Sequence, residues 1–130
     1  MKRISGLKLL DEREGDGPSA QKGDRVMFHM RLFLNKGDEI PLNETQAKHL
    51  PKEMIRVVEG LTFIDRTIVM GRHEAIAGVE HTLMGMQVDG YRKVRISPHL
   101  AYRDKGIPHL IPPDAVLICE IWLRRIGRQV

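Results

Sequence analysis

The sequence predicts an α+β domain in which one short helix packs across a face of a twisted antiparallel sheet. Three observations carry that expectation. Stretches of alternating apolar and polar residues recur along the chain, as half-buried strands require. Residues 74–84 change to helical spacing, with Ile76, Val79 and Leu83 on one side. Turn residues punctuate these stretches, notably Asn35-Lys36-Gly37-Asp38 and Gly85. Repeats, low-complexity tracts and interdomain linkers are absent, so residues 1–130 read as one domain, long enough for a hydrophobic core.

The elements follow in order. Residues 7–12 form a first strand, and 14–22, rich in Gly, Asp, Pro and Ser, form a loop. In 25–34, Val26, Phe28, Met30, Leu32 and Leu34 share one face, with His29 and Arg31 on the other. Residues 43–52 suit a short helix capped by Asn43. Residues 54–58 and 61–70 read as strands around a Glu59-Gly60 turn. Residues 74–84 are the principal helix, with Glu80 outward and Gly85 as its stop. Residues 91–97 and 115–126 are the last strands. In the latter, Leu117, Cys119, Ile121 and Leu123 alternate with Ile118, Glu120, Trp122 and Arg124.

Composition narrows the function classes. The net charge of +4 is mild, and the basic residues are spread out apart from Arg92-Lys93 with Arg95 and Arg124-Arg125 with Arg128. No aromatic residues interleave with them, so a nucleic-acid partner is not expected. No stretch approaches the ~18 to 20 apolar residues of a membrane span. Lys2-Arg3 is not followed by an apolar leader, because Leu9-Leu10 runs straight into Asp11-Glu12-Arg13-Glu14. Cys119 is the single cysteine, which points to a reducing, cytoplasmic setting. The histidines lack the spacing of a helical ligand pair, and no metal site or cofactor is expected. Glu74 with Glu80 reads as a solvated helix face, and Cys119 as a buried, inert thiol.

Residues 96–123 hold the strongest signal. Leu100, Tyr102, Ile107, Leu110 and Ile111 crowd a loop stiffened by Pro98, Pro108, Pro112 and Pro113. So many apolar groups in a rigid loop need something to cover or to bind, and they suggest one wall of an apolar pocket. The motif Ile96-Ser97-Pro98, Ala101-Tyr102, Gly106-Ile107-Pro108 and Ile111-Pro112-Pro113-Asp114-Ala115-Val116-Leu117 resembles the signature of the FKBP-type peptidyl-prolyl isomerases. The resemblance continues upstream through Gly71, Glu74, Ile76, Gly78, Glu80, Met86 and Val88. It extends to Gly15-Asp16-Gly17 and to Lys22-Gly23-Asp24 through His29. It weakens between Ile40 and Gly71, where about 42–66 reads as an insertion or enlarged flap.

The resemblance implies an FKBP-like fold with its pocket between helix and sheet, and isomerisation of X-Pro bonds in polypeptides without a cofactor. It places Tyr102 as the hydroxyl donor to ligand, Ile76 as the backbone N–H that meets a ligand carbonyl, and Glu74 as a backbone carbonyl contact. Ala75 falls on the rim, and Ile107 and Ile111 over the proline site. Several departures follow from the same alignment. Val79 stands for the floor tryptophan, Met30 for the first-strand aromatic, Cys119 for the last-strand aromatic, and Ile40-Pro41 for a Phe-Asp pair. The flap aromatic falls near Arg66, with Phe63 as another source of the ring, and Met30, Met70 or Met86 as fillers of the void. The pocket is therefore expected to be apolar but poor in aromatics, with Ile40, Val79, Ile107, Ile111 and Cys119 as walls. Weaker catalysis and poor macrolide binding are expected with it.

Read without the family, Tyr102 is better explained as a packed core tyrosine with its hydroxyl at the surface. Trp122 and Ile118 form an outer apolar patch, either covered by the chain's own residues or available for self-association. Two functions from different classes fit. One is a peptidyl-prolyl isomerase; the other is an impaired FKBP-like module that holds peptide in a chaperone role.

Overall fold

The computed structural model describes residues 1–127; Arg128 lies outside them. The described elements are β1 (Leu7–Arg13), β2 (Arg25–Leu34), β3 (Glu39–Ile40), α1 (Leu42–Ala47), β4 (Ile55–Val58), β5 (Leu61–Ile64), β6 (Arg66–Val69), α2 (Ala77–Leu83), β7 (Tyr91–Ile96) and β8 (Leu117–Gly127). Six strands make one curled antiparallel sheet in the order β1-β7-β8-β2-β3, with β6 also on β2. The predicted α+β class holds.

The alternating pattern fixes which face is buried. On β2 the inner residues Val26, Phe28, Met30 and Leu32 are buried, and on β8 Leu117, Cys119, Ile121 and Leu123 are fully so. Val94 and Ile96 of β7 join them, and α2 closes the core with Val79 and Leu83. β2 runs against β8 along its whole length, with Arg124 as an extra residue opposite the Met27–Phe28 step. Such a bulge sharpens the local twist and helps the sheet to curl.

β8 occupies one edge of β2 completely, so β3 and β6 must share the other. β3 pairs at Leu32 and Phe33, and β6 pairs from Arg25 to Phe28. The chain between them, 41–65, leaves the sheet as α1, a 3₁₀ turn at Lys52–Met54 and the β4–β5 hairpin.

Three boundaries differ from the sequence reading. The stretch predicted as one strand over 61–70 breaks at Asp65. There the backbone N–H turns to Met54 O at 2.7 Å, and the carboxylate meets His29 Nε2 at 2.7 Å and Arg56 Nη2 at 3.0 Å. These bonds divert the chain from the hairpin into the main sheet. α1 is shorter than predicted and begins after Pro41, which cannot continue a backbone ladder. Asn43 does not cap it. α2 begins at Ala77 instead of Glu74, and it stops where expected, with Gly85 at φ 81°.

On the outer face Phe63 of β5 stacks on His29 at 5.3 Å and meets Trp122 edge-on at 5.6 Å; Tyr91 lies 5.2 Å from Trp122. The hairpin thus brings an aromatic side chain of this chain onto the Trp122 patch.

Gly78 sets how close α2 comes to the sheet. A Cβ there would lie 2.5 Å from Ile96 Cγ2 and 3.1 Å from the Leu100 carbonyl oxygen. Alanine is the better helix former by roughly 1 kcal/mol, yet overpacking a tight core costs about 1–3 kcal/mol. Gly78→Ala is therefore expected to destabilise the protein by up to about 2 kcal/mol. Urea denaturation checks this; an unchanged or raised midpoint would contradict the close packing.

Candidate functional site

The elements that leave the β2 edge do not lie flat. With the turn before α2 they enclose a cleft of about 780 Å³ over the inner face of β2. Its apolar lining comes from Phe28 and Met30 of β2, Ile64, Ile68 and Val79, and from Leu42, Leu50 and Met54 of the 41–65 segment. The polar groups reaching it are few, and four matter for chemistry: Tyr102, Arg66, Gln46 and the backbone of Glu74–Ile76.

Ile76 is the N-cap of α2. Its carbonyl accepts from the N–H groups of Val79 and Glu80 at 3.0 and 3.1 Å. Among the described residues its own N–H meets no acceptor. Of the carboxylates nearby, Glu74 is exposed and Glu80 half-buried, and each also accepts a backbone hydrogen bond. Glu74 accepts from the Val69 N–H at 2.7 Å, and Glu80 accepts from the Gly71 N–H. Both are turned toward the β6–α2 connection, which they tie to the helix.

Tyr102 is held on the opposite side by the proline-rich loop. The Arg103 N–H donates to Pro98 O at 3.0 Å, and the Gly106 N–H donates to Tyr102 O at 3.0 Å. Ile107 and Ile111 exchange backbone bonds of 2.9 and 2.8 Å, closing the loop on itself. A Cβ on Gly106 would strike the Ile111 carbonyl, so only glycine allows that closure. The Tyr102 hydroxyl has no intramolecular hydrogen bond among the described residues. Burial pushes its pKa up, against the opposing pull of the Arg66 guanidinium, so it stays a donor at neutral pH.

Arg66 opens β6 and sits half-buried in the cleft wall. Its Nη2 donates to Asn43 Oδ1 at 2.8 Å, and Asn43 Nδ2 donates to Met30 O at 2.8 Å. Met30 lies between the stretches of β2 paired by β6 and by β3, so Asn43 supplies the partner that no strand provides. Arg66 Nε is buried without a partner, and desolvation lowers the guanidinium pKa.

Of the residues proposed from sequence, the cleft brings together Met30, Glu74, Ala75, Ile76, Val79 and Tyr102. Four others lie elsewhere. Ile40 and Cys119 are buried in the core, and burial pushes the Cys119 thiol pKa up, as an inert thiol requires. Ile107 and Ile111, drawn together by their bridge, border a separate depression with Pro108 and Pro112. Phe63 does not supply the flap ring, because the hairpin carries it to the outer face. Met70 and Met86 are core residues, leaving Met30 and Met54 as the methionines of the cleft. Sequence reasoning missed Phe28 and Asn43 as cleft residues, and put Arg66 only near the position of a flap aromatic. Phe28 was available from its alternation with Met30, whereas the other two depend on where the 41–65 segment folds.

A curled antiparallel sheet with a short helix across its hollow, and an apolar cleft between them, defines an FKBP-like α+β domain. The sequence model of the FKBP-type peptidyl-prolyl cis-trans isomerases matches residues 17–124, and the chain belongs to that family. Similar proteins include an FK506-binding protein 4 of Chaetomium thermophilum, 32% identical over 97% of this chain and 22% of its own length. A 46 kDa FK506-binding nuclear protein of Spodoptera frugiperda is 31% identical over 93% of this chain and 26% of its own. FK506-binding protein 1A of Neurospora crassa is 26% identical over 91% of this chain and 86% of its own. The chain thus spans about a fifth to a quarter of the longer relatives.

Asn43→Ala would strand both the Met30 carbonyl and one arm of Arg66. Each buried group left unsatisfied costs about 1–3 kcal/mol. The variant is expected to lose about 2 kcal/mol or more in chemical denaturation. A loss under about 0.5 kcal/mol would mean that water replaces the amide without cost.

Proposed function

We propose that the chain is a peptidyl-prolyl cis-trans isomerase that seats the proline ring over Val79 and acts on X-Pro bonds of polypeptides. The barrier to rotation is ~18–20 kcal/mol because the planar amide loses resonance as it twists. The planar form is the more polar one, so an apolar cleft disfavours it relative to the twisted transition state. Here the Ile76 N–H binds the substrate carbonyl and the Tyr102 hydroxyl orients the substrate while the ring is gripped. The observation that carries this reading is the pair of unpartnered donors, Ile76 N–H and Tyr102 hydroxyl, on one apolar cleft. Such chemistry needs no nucleophile and no cofactor.

A second reading has its own support. Val79 offers little surface to a proline ring, and Arg66 places a charge in the wall. A module that holds extended peptide without speeding rotation would tolerate both features.

NMR exchange on an X-Pro peptide at rising protein concentration separates the two. Under the isomerase reading, cis–trans exchange accelerates in proportion to protein, and Tyr102→Phe slows it by about tenfold. Peptide signals that shift without faster exchange would leave the holding module as the function.

A further inference from the structure

Arg66 has a feature the isomerase reading does not use. Among the described residues it is the only Lys or Arg that lines the cleft, and no carboxylate there pairs with it. Its one hydrogen-bond partner among them is the neutral Asn43 side chain, at 2.8 Å; Nε is sealed from solvent, so a ligand would meet the Nη groups. The one acid beside it in the lining, Glu74, already accepts from the Val69 N–H at 2.7 Å. A half-buried guanidinium without a counter-ion is costly, and burial lowers its pKa accordingly. The cleft wall therefore holds a guanidinium with no acidic partner among the described residues, complementary to an acidic side chain of a ligand.

We infer that Arg66 makes this cleft selective for proline peptides that carry a carboxylate on a residue next to the proline. The inference rests on the cleft being the seat of the proline, as proposed above. A planar guanidinium fork matches a carboxylate in geometry and in charge. A phosphate dianion fits less well, because Arg66 is the one Lys or Arg in the described lining; the other basic side chains there are the His49 and His73 imidazoles. Arg66 is thus a specificity-determining residue that contacts substrate, while Asn43 positions it.

The test compares acetylated, amidated peptides with either glutamate or the isosteric glutamine immediately before or after proline. Titration by NMR gives the affinity of each. In one of the two positions glutamate is expected to bind about tenfold more tightly than glutamine. The ratio should shrink as salt is raised and fall to about one in Arg66→Met. A purely structural Arg66 would change both affinities together and leave their ratio unaltered. Should Arg66→Met fail to fold, the glutamate-to-glutamine ratio of the wild type and its salt dependence still decide. Equal binding of glutamate and glutamine peptides in both positions would overturn the inference and leave the prolyl reading standing. Failure of every proline peptide to bind would remove both.

Discussion

β2 has a full-length partner on one edge and two short partners on the other. β8 takes the first edge along its whole length, while β3 and β6 share the second and leave Met30 between them. Buried carbonyls cannot be left bare without a cost of about 1–3 kcal/mol. Asn43 satisfies the one at Met30, and in doing so fixes where α1 sits and where Arg66 is held. Asp65 answers on the opposite face by binding His29 and Arg56 and releasing the β4–β5 hairpin from the sheet. The same gap therefore shapes the cleft on one side and the aromatic contacts of Trp122 on the other.

The cleft that results is mainly apolar, with the Arg66 guanidinium near the Tyr102 hydroxyl among its polar groups. That balance suits a reaction that breaks no bond, where a dry environment and one held carbonyl are what rotation of an amide needs. The isolation of Ile76 N–H follows from its place as the N-cap of α2, where a backbone donor has no partner in the helix. The side chains of Glu74 and Glu80 cannot supply one, because the β6–α2 connection engages them.

Much of the fold was legible in the sequence because strand alternation is a local signal. Val26, Phe28, Met30 and Leu32, and Leu117 through Leu123, announce their buried face residue by residue. The site was legible where motif and backbone coincide, at Glu74–Ile76 and Tyr102. It was illegible where the answer lies in side-chain partners distant in sequence. Nothing local tells that Asn43 serves Met30, that Asp65 ends a strand by binding His29, or that Arg66 stands unpaired in a wall. The backbone bridge between Ile107 and Ile111, which closes that loop on itself, is likewise invisible to spacing alone.

The central claim is that a proline ring sits over Val79, between α2 and the inner face of β2. Intermolecular NOEs between a bound proline peptide and the methyl-labelled protein test it most directly. Proline ring protons should contact the methyl groups of Val79, Ile76 and Met30. Contacts to the Val58 and Leu61 methyls of the hairpin instead, on the Trp122 side of the sheet, would show that the binding surface is the outer face and contradict the account.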